Sequence, residues 1–300
     1  MYIKKTFIFI EYVLVRLLYF VVNSMPQFVC RAASRGISLV VGNLLNYRAN
    51  VINHNLNIAF PNLKNSEKDK IKSDFYDYFS YFFLNFIKAS SFDEKFFKQN
   101  IRVHNADCLK NLSNTGFILV SGHVGDFSLF AMVTQSLINA KDNFNVILRE
   151  QSNPMVNKFY IKQRRACGQK YIYTDGALKK AIKALNKNEI IYLLNDQNGK
   201  DKGCKVDFFQ KEASSMVGLP IMHLKTGAPI YQGYCIMSED GKYDYFVEKL
   251  EFDHSDDQEQ LFKNILKSFN KNLETAINKN PNQYFWSHKR WPIDYSEKCL

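Results

Sequence analysis

The sequence predicts an α/β fold: a mixed, mostly parallel sheet flanked by helices, with an N-terminal helical, membrane-associated region. Three observations carry this prediction. From residue 115 onward, short apolar runs alternate with amphipathic stretches. Before that point, apolar residues recur at helical spacing. Residues 6–22 are apolar but for Thr6, Glu11 and Arg16.

The opening run, "TFIFIEYVLVRLLYFVV", follows Lys4 and Lys5 and is interrupted by Glu11 and Arg16. It is long enough to cross a hydrocarbon core of roughly 30 Å as a helix. The two charges make a clean span costly, and at five positions apart they share no narrow polar face. Residues 1–25 therefore read as an interfacial or shallowly inserted anchor, its basic start on the cytosolic side. No small-residue cleavage site follows, so a removable signal peptide is not expected. A buried helix is the alternative.

Residues 26–110 read as a helical subdomain. Residues 27–60, with "ISLVVGNLL" and then "YRANVINHNLNIAF", read as a helix stopped by Pro61 and Asn62. "NSEKDKIKSDFYDYFSYFFLNFIKAS" is a further helix, capped by Ser66, whose Phe and Tyr form a core or lipid-facing stripe.

Residues 111–300 read as the α/β domain. "GFILVSG", "FNVILRE", "KYIYT", "EIIYLLND", "APIYQGYCIM" and "YDYFVEKLEF" are strands. "FSLFAMVTQSLI", "NPMVNKFYIKQRRACG", "GALKKAIKALNKN" and "SMVGLPIMHLKTGA" are the intervening helices. "QEQLFKNILKSFNKNLETAINKN" closes the chain, stopped by Pro281.

The totals fit a folded protein with a sizeable core: 46% of 300 residues are apolar and 15% aromatic. A net charge of +11 favours acidic partners such as anionic lipid, phosphorylated substrates or an acidic carrier protein. No like-charge block and no nucleic-acid-binding signature is present, so no nucleic-acid partner is expected. Cys30, Cys108, Cys167, Cys204, Cys235 and Cys299 are scattered, with no CxxC pair. That is the pattern of reduced thiols, not of a disulfide framework or zinc site.

In α/β sheets, sites gather beyond the carboxyl ends of strands. Here those ends carry His123 with Asp126, then Arg149, then Asp196 and Gln197; "YFWSHKRW" adds His288, Lys289 and Arg290. A neutral imidazole can take a proton from a hydroxyl, and works better if a carboxylate holds its other nitrogen. Gly122 and Gly125 let the backbone pass close to a reacting carbonyl, and N–H groups at the next helix start can help hold an oxyanion. No Walker A, GxGxxG, HExxH or GxSxG pattern offers a rival chemistry. "KFYIKQRRACG", with Arg164 and Arg165, reads equally as a docking patch for phosphate or carrier and as a solvated helix face. "GKDKGCK", with Lys200, Lys202 and Lys205, reads as a charged loop.

"NHNLNIAFPNL", "VSGHVGDFSLF", "VILRE", "YLLNDQN", "SMVGLPIMHLKTGAPI" and "PNQYFWSHKRW" occur in one order along the chain. Together they resemble the bacterial late lipid A acyltransferases, the lauroyl and myristoyl transferases of the lysophospholipid acyltransferase superfamily. The resemblance covers nearly the whole chain. It implies a glycerophosphate-acyltransferase-like fold at the cytosolic face of the inner membrane. It implies acyl transfer from an acyl carrier protein thioester to a hydroxyl of a lipid A precursor, with no metal or bound organic cofactor. Acyl carrier protein is then a co-substrate; oligomeric state is left open.

Carried over by that resemblance, His123 is the general base and Arg149 a contact for phosphate or oxyanion. Asp196 and Gln197 are structural or substrate-positioning. Trp286, His288 and Arg290 form the C-terminal aromatic-basic element. The family pattern places an acid five residues after the histidine, where this chain has Ser128. Asp126 stands three residues after it. On a regular helix, position +3 lies about 60° from the histidine and +5 about 140°. Three readings stay open: Asp126 does the acid's work, a carboxylate comes from elsewhere in the chain, or the protein is a degenerate lipid binder.

Overall fold

A computed structural model describes residues 2–110, 112, 115–140, 142–165 and 168–293, without the side chains of residues 2–5 and Arg165. Cys167, Cys299 and the side chains of Lys4, Lys5 and Arg165 lie outside the described residues.

Helix α1 (Tyr2–Ser24) is the apolar opening segment. Thr6–Ser24 has a mean hydropathy of 1.7 and is long and apolar enough to cross a membrane. It leans on the rest of the protein along one side. Tyr19 Oη donates to Gln163 at 2.8 Å and lies 2.8 Å from Ser90 Oγ. Asn153 Nδ2 donates to Ile8 O and to Glu11 Oε2. The Arg16 guanidinium sits 5.0 Å from the Phe159 ring centre. Both charges of the segment are therefore engaged at the protein-facing edge, and the outward side is left apolar. Lys88 closes the helix by donating to the Val22 and Met25 carbonyls.

Residues 27–60 are not one helix. They form α2 (Gln27–Ser38), a π-helical segment (Leu39–Leu44) and α3 (Ala49–Ala59). The break falls where Asn46 and Arg48 take positive φ, a region costly for side-chain-bearing residues. Helix α4 (Asn65–Lys88) begins one residue ahead of Ser66, with Glu67 accepting from the Lys64 N–H. Its aromatic stripe is largely core: Phe75, Tyr76, Tyr78, Tyr81 and Phe82 are buried.

A short helix α5 (Glu94–Asn100), capped by Asp93, leads into strand β1 (Ile101–His104). There follow β2 (Ile118–Ser121), α6 (Phe127–Leu137), β3 (Phe144–Leu148), α7 (Pro154–Arg165), β4 (Lys170–Tyr173), α8 (Ala177–Leu185) and β5 (Ile190–Leu194). The antiparallel hairpin β6 (Cys204–Phe208) and β7 (Lys211–Ser215) stands apart. Helix α9 (Gly218–Thr226), strands β8 (Ile230–Met237) and β9 (Tyr243–Lys249), and α10 (Gln258–Lys279) complete the order.

The large sheet runs β1-β9-β8-β2-β5-β3-β4. Every pairing is parallel except β8 with β9. Both faces are covered, which is why β2 and β5 read as unbroken apolar runs. Ile118, Val120, Ile191 and Leu193 face one core with α10; Phe117, Leu119, Ile190 and Tyr192 face the other with α6. Helix α10 lays Leu261, Ile265, Phe269, Leu273 and Ile277 on the sheet at four-residue intervals, all at most 2% exposed. Each such side chain contributes roughly 1.5–3 kcal/mol. Asp257 caps that helix through Gln260 N at 2.7 Å.

Candidate active site

Strands β2 and β5 are parallel neighbours, with Ser121 opposite Leu194. His123 and Asp196 each lie two residues past those partners, so the register brings them side by side at the carboxyl ends. Asp196 Oδ1 is 2.7 Å from His123 Nδ1, and Asp196 Oδ2 accepts from the His123 backbone N–H at 2.9 Å. One carboxylate thus fixes both the ring and its backbone. Asp196 is buried while the His123 side chain remains 16% exposed. Burial alone would raise the Asp196 carboxyl. The His123 charge, the ring and backbone N–H bonds, and Arg290 more than reverse this and hold it below the usual carboxylate range.

The loop carrying His123 is clamped. Gly125 takes φ +63°, and a Cβ there would meet the Cys235 carbonyl oxygen at 2.2 Å, so only glycine fits. Its N–H donates to Gln283 O, the Asp126 N–H to Cys235 O, and the Phe285 N–H to His123 O. The C-terminal segment is itself gripped by α3. Asn55 Nδ2 donates to the carbonyls of Trp286 and His288, both at 2.7 Å, and Arg48 donates to Ser287 O. The "NHNLNIAF" and "YFWSHKRW" elements are therefore two halves of one clamp on the histidine loop. Asn55→Ala is expected to cost about 1–3 kcal/mol by stranding two carbonyls. Denaturant unfolding in detergent micelles checks this; a loss under 0.5 kcal/mol would count against the clamp.

Asp126 does not hold the imidazole. It is the N-cap of α6, accepting from Leu129 N at 2.8 Å, because position +3 from the histidine is where the helix begins rather than one turn along it. Its carboxyl is pushed up to about 6 by burial, against the Leu129 N–H, Arg164 and the Ser128 N–H. With the Leu129 and Ser128 amides turned to Asp126, the helix start is less free to hold an oxyanion than the sequence suggests. The raised value means that the native state keeps this proton longer than the unfolded chain does. The stabilisation is complete below pH 4 and is lost as pH rises through 6. Asp126→Asn retains a cap acceptor and removes the titration. Its stability relative to the parent is expected to rise by about 2–3 kcal/mol between pH 4 and 7. Unfolding free energies across that range check it; a flat difference defeats it.

Ser128 faces α7, not His123. Its hydroxyl accepts from Arg164 Nη1 at 2.6 Å. Arg164 is not a surface docking cation: it is 5% exposed, also donates to Phe86 O, and stacks 4.3 Å from the Phe86 ring centre. Helical spacing on α7 turns it inward. Its place makes position 128 a partner for this arginine.

Arg149 is exposed just past β3, and Gln197 is half-buried beside Asp196. His288 lies near the dyad; its Nε2 accepts from the Asn198 N–H at 3.2 Å. Burial holds that imidazole below its usual pKa, opposed by Asp196 and reinforced by His123, Arg290 and Arg48. Arg290 is 1% exposed and donates to Ser214 O and Ser215 Oγ, so it ties β7 beneath the site rather than facing a substrate. The stretch holding Lys200, Lys202 and Lys205 is not all loop: Lys205 lies in β6 and pairs with Glu212 at 2.9 Å. Among the described residues, no group of three His, Cys, Asp or Glu side chains is placed to hold a metal ion.

The arrangement is an aspartate-oriented histidine at the carboxyl edge of a parallel sheet, with two aromatic rings, Phe127 and Phe285, within 6 Å of the imidazole. It suits proton abstraction from a hydroxyl beside an apolar substrate. No curated protein matches this chain. Residues 2–292 match the family described as bacterial lipid A biosynthesis acyltransferase, and the chain belongs to that family.

Proposed function

We propose that this acyltransferase moves a fatty acyl chain from an acyl carrier protein thioester to a hydroxyl of a lipid A precursor, at the cytosolic face of the inner membrane. The His123–Asp196 pair is the observation that carries the proposal. With Nδ1–H donated to Asp196, Nε2 holds the lone pair and takes the acceptor's proton. The freed oxygen attacks the thioester carbonyl. A C–O bond forms, the C–S bond breaks, and the departing thiolate recovers the proton from Nε2. Asp196 steadies the imidazolium between these steps. No metal or bound organic cofactor enters this scheme.

Gln197 and Arg149, polar groups standing at the same strand ends, are proposed to meet the acyl carbonyl or a substrate phosphate. His288 completes that wall. An apolar cavity of about 300 Å³ between α1, α4 and α7, lined by Val15, Leu18, Phe83 and Phe159 among others, suits the fatty tail. A row of rings runs from the dyad toward it: Phe127 lies 4.9 Å from both the His123 and Phe82 ring centres, and Phe82 lies 5.9 Å from Phe86, which lines the cavity. The net charge of +11 suits an acidic carrier and a phosphorylated acceptor. The His123–Asp196 pairing weighs against a degenerate lipid binder.

Lipid A mass spectra from cells with and without the gene test the proposal. One acyl chain missing without the gene, restored by purified protein and acyl carrier thioester, is the expected result. Identical spectra, with no transfer in vitro, would sink it.

A further inference from the structure

Helix α2 and the π-helical segment after it are built inside out. Their buried residues are Cys30, Ser34, Ser38 and Gly42, four apart and hence on one face. A Cβ at Gly42 would meet the Tyr76 ring of α4 at 2.7 Å, so the approach is close. The large apolar side chains point the other way: Phe28 is 74% exposed, Leu39 61%, Leu44 75% and Leu45 64%. A surface helix in water does the opposite, burying large apolar residues and showing polar ones. The inverted order belongs to a helix in lipid, where hydrocarbon solvates the large side chains.

Charge points the same way. Between Glu11 and Glu67 the chain has no acidic residue, while Arg16, Arg31, Arg35, Arg48 and Lys64 fall in that interval. Arg31 and Arg35 precede the apolar stretch and Arg48 follows it, all three exposed. An anionic headgroup layer satisfies such a pattern. A second copy of the same face would offer these arginines no acidic residue from residues 12–66. The uncharged interval from Gly36 to Tyr47 reaches about 18 Å as a helix, short of a roughly 30 Å core. It then turns by 90° into α3.

We infer that α2 and residues 39–47 form a second lipid-contacting element, dipping into an anionic leaflet without crossing it, beside α1. The outward side of α1, with Phe7, Phe9, Leu14, Leu17 and Phe20 exposed, leads into it through Met25 and Pro26. This is independent of the acyl-transfer chemistry and stands or falls separately from it.

The test uses the full chain in vesicles of phosphatidylethanolamine and phosphatidylglycerol containing brominated phosphatidylcholine. Native Trp286 and Trp291 are both buried and supply a constant background. Leu44→Trp and Val40→Trp each add one emitter on the proposed face. Lys70→Trp adds one on α4, where the parent side chain is 75% exposed. At least about half of the added emission is expected to be quenched at positions 40 and 44, and little of it at 70. Equal quenching at all three positions overturns the inference. So does a particle in detergent whose protein mass is halved by Leu44→Ser while positions 40 and 44 stay unquenched in vesicles, since a second copy then covers the face.

Discussion

Asp196→Asn is expected to lower kcat by about 10³–10⁴-fold with KM little changed. The aspartate uses both oxygens, one on Nδ1 and one on the His123 backbone N–H. Asparagine has a single oxygen acceptor, so one of the two bonds is lost. If the amide N–H turns to the ring, Nδ1 must accept it and the proton moves to Nε2, where it blocks the lone pair the reaction needs. The fold should survive, since the amide matches the carboxylate in volume. Steady-state kinetics with a carrier thioester donor, beside a thermal melt, separates the two outcomes. A fall below tenfold in a folded variant would remove Asp196 from the mechanism.

His123→Ala is expected to cost a comparable factor, about 10³-fold or more. It also strips Asp196 of its main partner, so part of the loss could be structural; His123→Gln keeps a donor for the carboxylate while lacking a base. Both variants should be inactive, and the glutamine variant should melt closer to the parent. Because the His123 side chain reaches solvent, added imidazole should restore some turnover to the alanine variant and none to the glutamine variant. Full activity in either variant would refute the general-base role.

The fold was legible because its signals are local. Apolar runs in β2 and β5, the capped amphipathic α10 and the apolar α1 each declare themselves within a dozen or two residues. The partnership of His123 was not. Its two members are 73 residues apart in sequence and meet only because β2 and β5 are neighbours in the sheet. Both residues stood out at strand ends, yet the nearer acid, Asp126, drew the pairing. The usable clue was equal offset: a histidine and an aspartate each close behind an apolar run become neighbours when the strands are parallel. The β6–β7 hairpin was hidden for another reason. Cys204, Val206 and Phe208 alternate with Lys205 and Asp207, but the charged half dominates the reading. Position 128 misled through its expected acid, because which way it faces depends on where α6 begins.

The ties along α1 have a mechanical consequence. Tyr19, Glu11 and Arg16 bind that helix to α7 and to the end of α4, so the segment is no tether on which a catalytic head swings. Wherever α1 settles, the imidazole settles at a fixed height above it. Under the proposed reaction, reactants must then arrive at that level by their own travel, a lipid acceptor by lateral diffusion and a carrier-borne donor from the aqueous side, and turnover should respond to bilayer thickness.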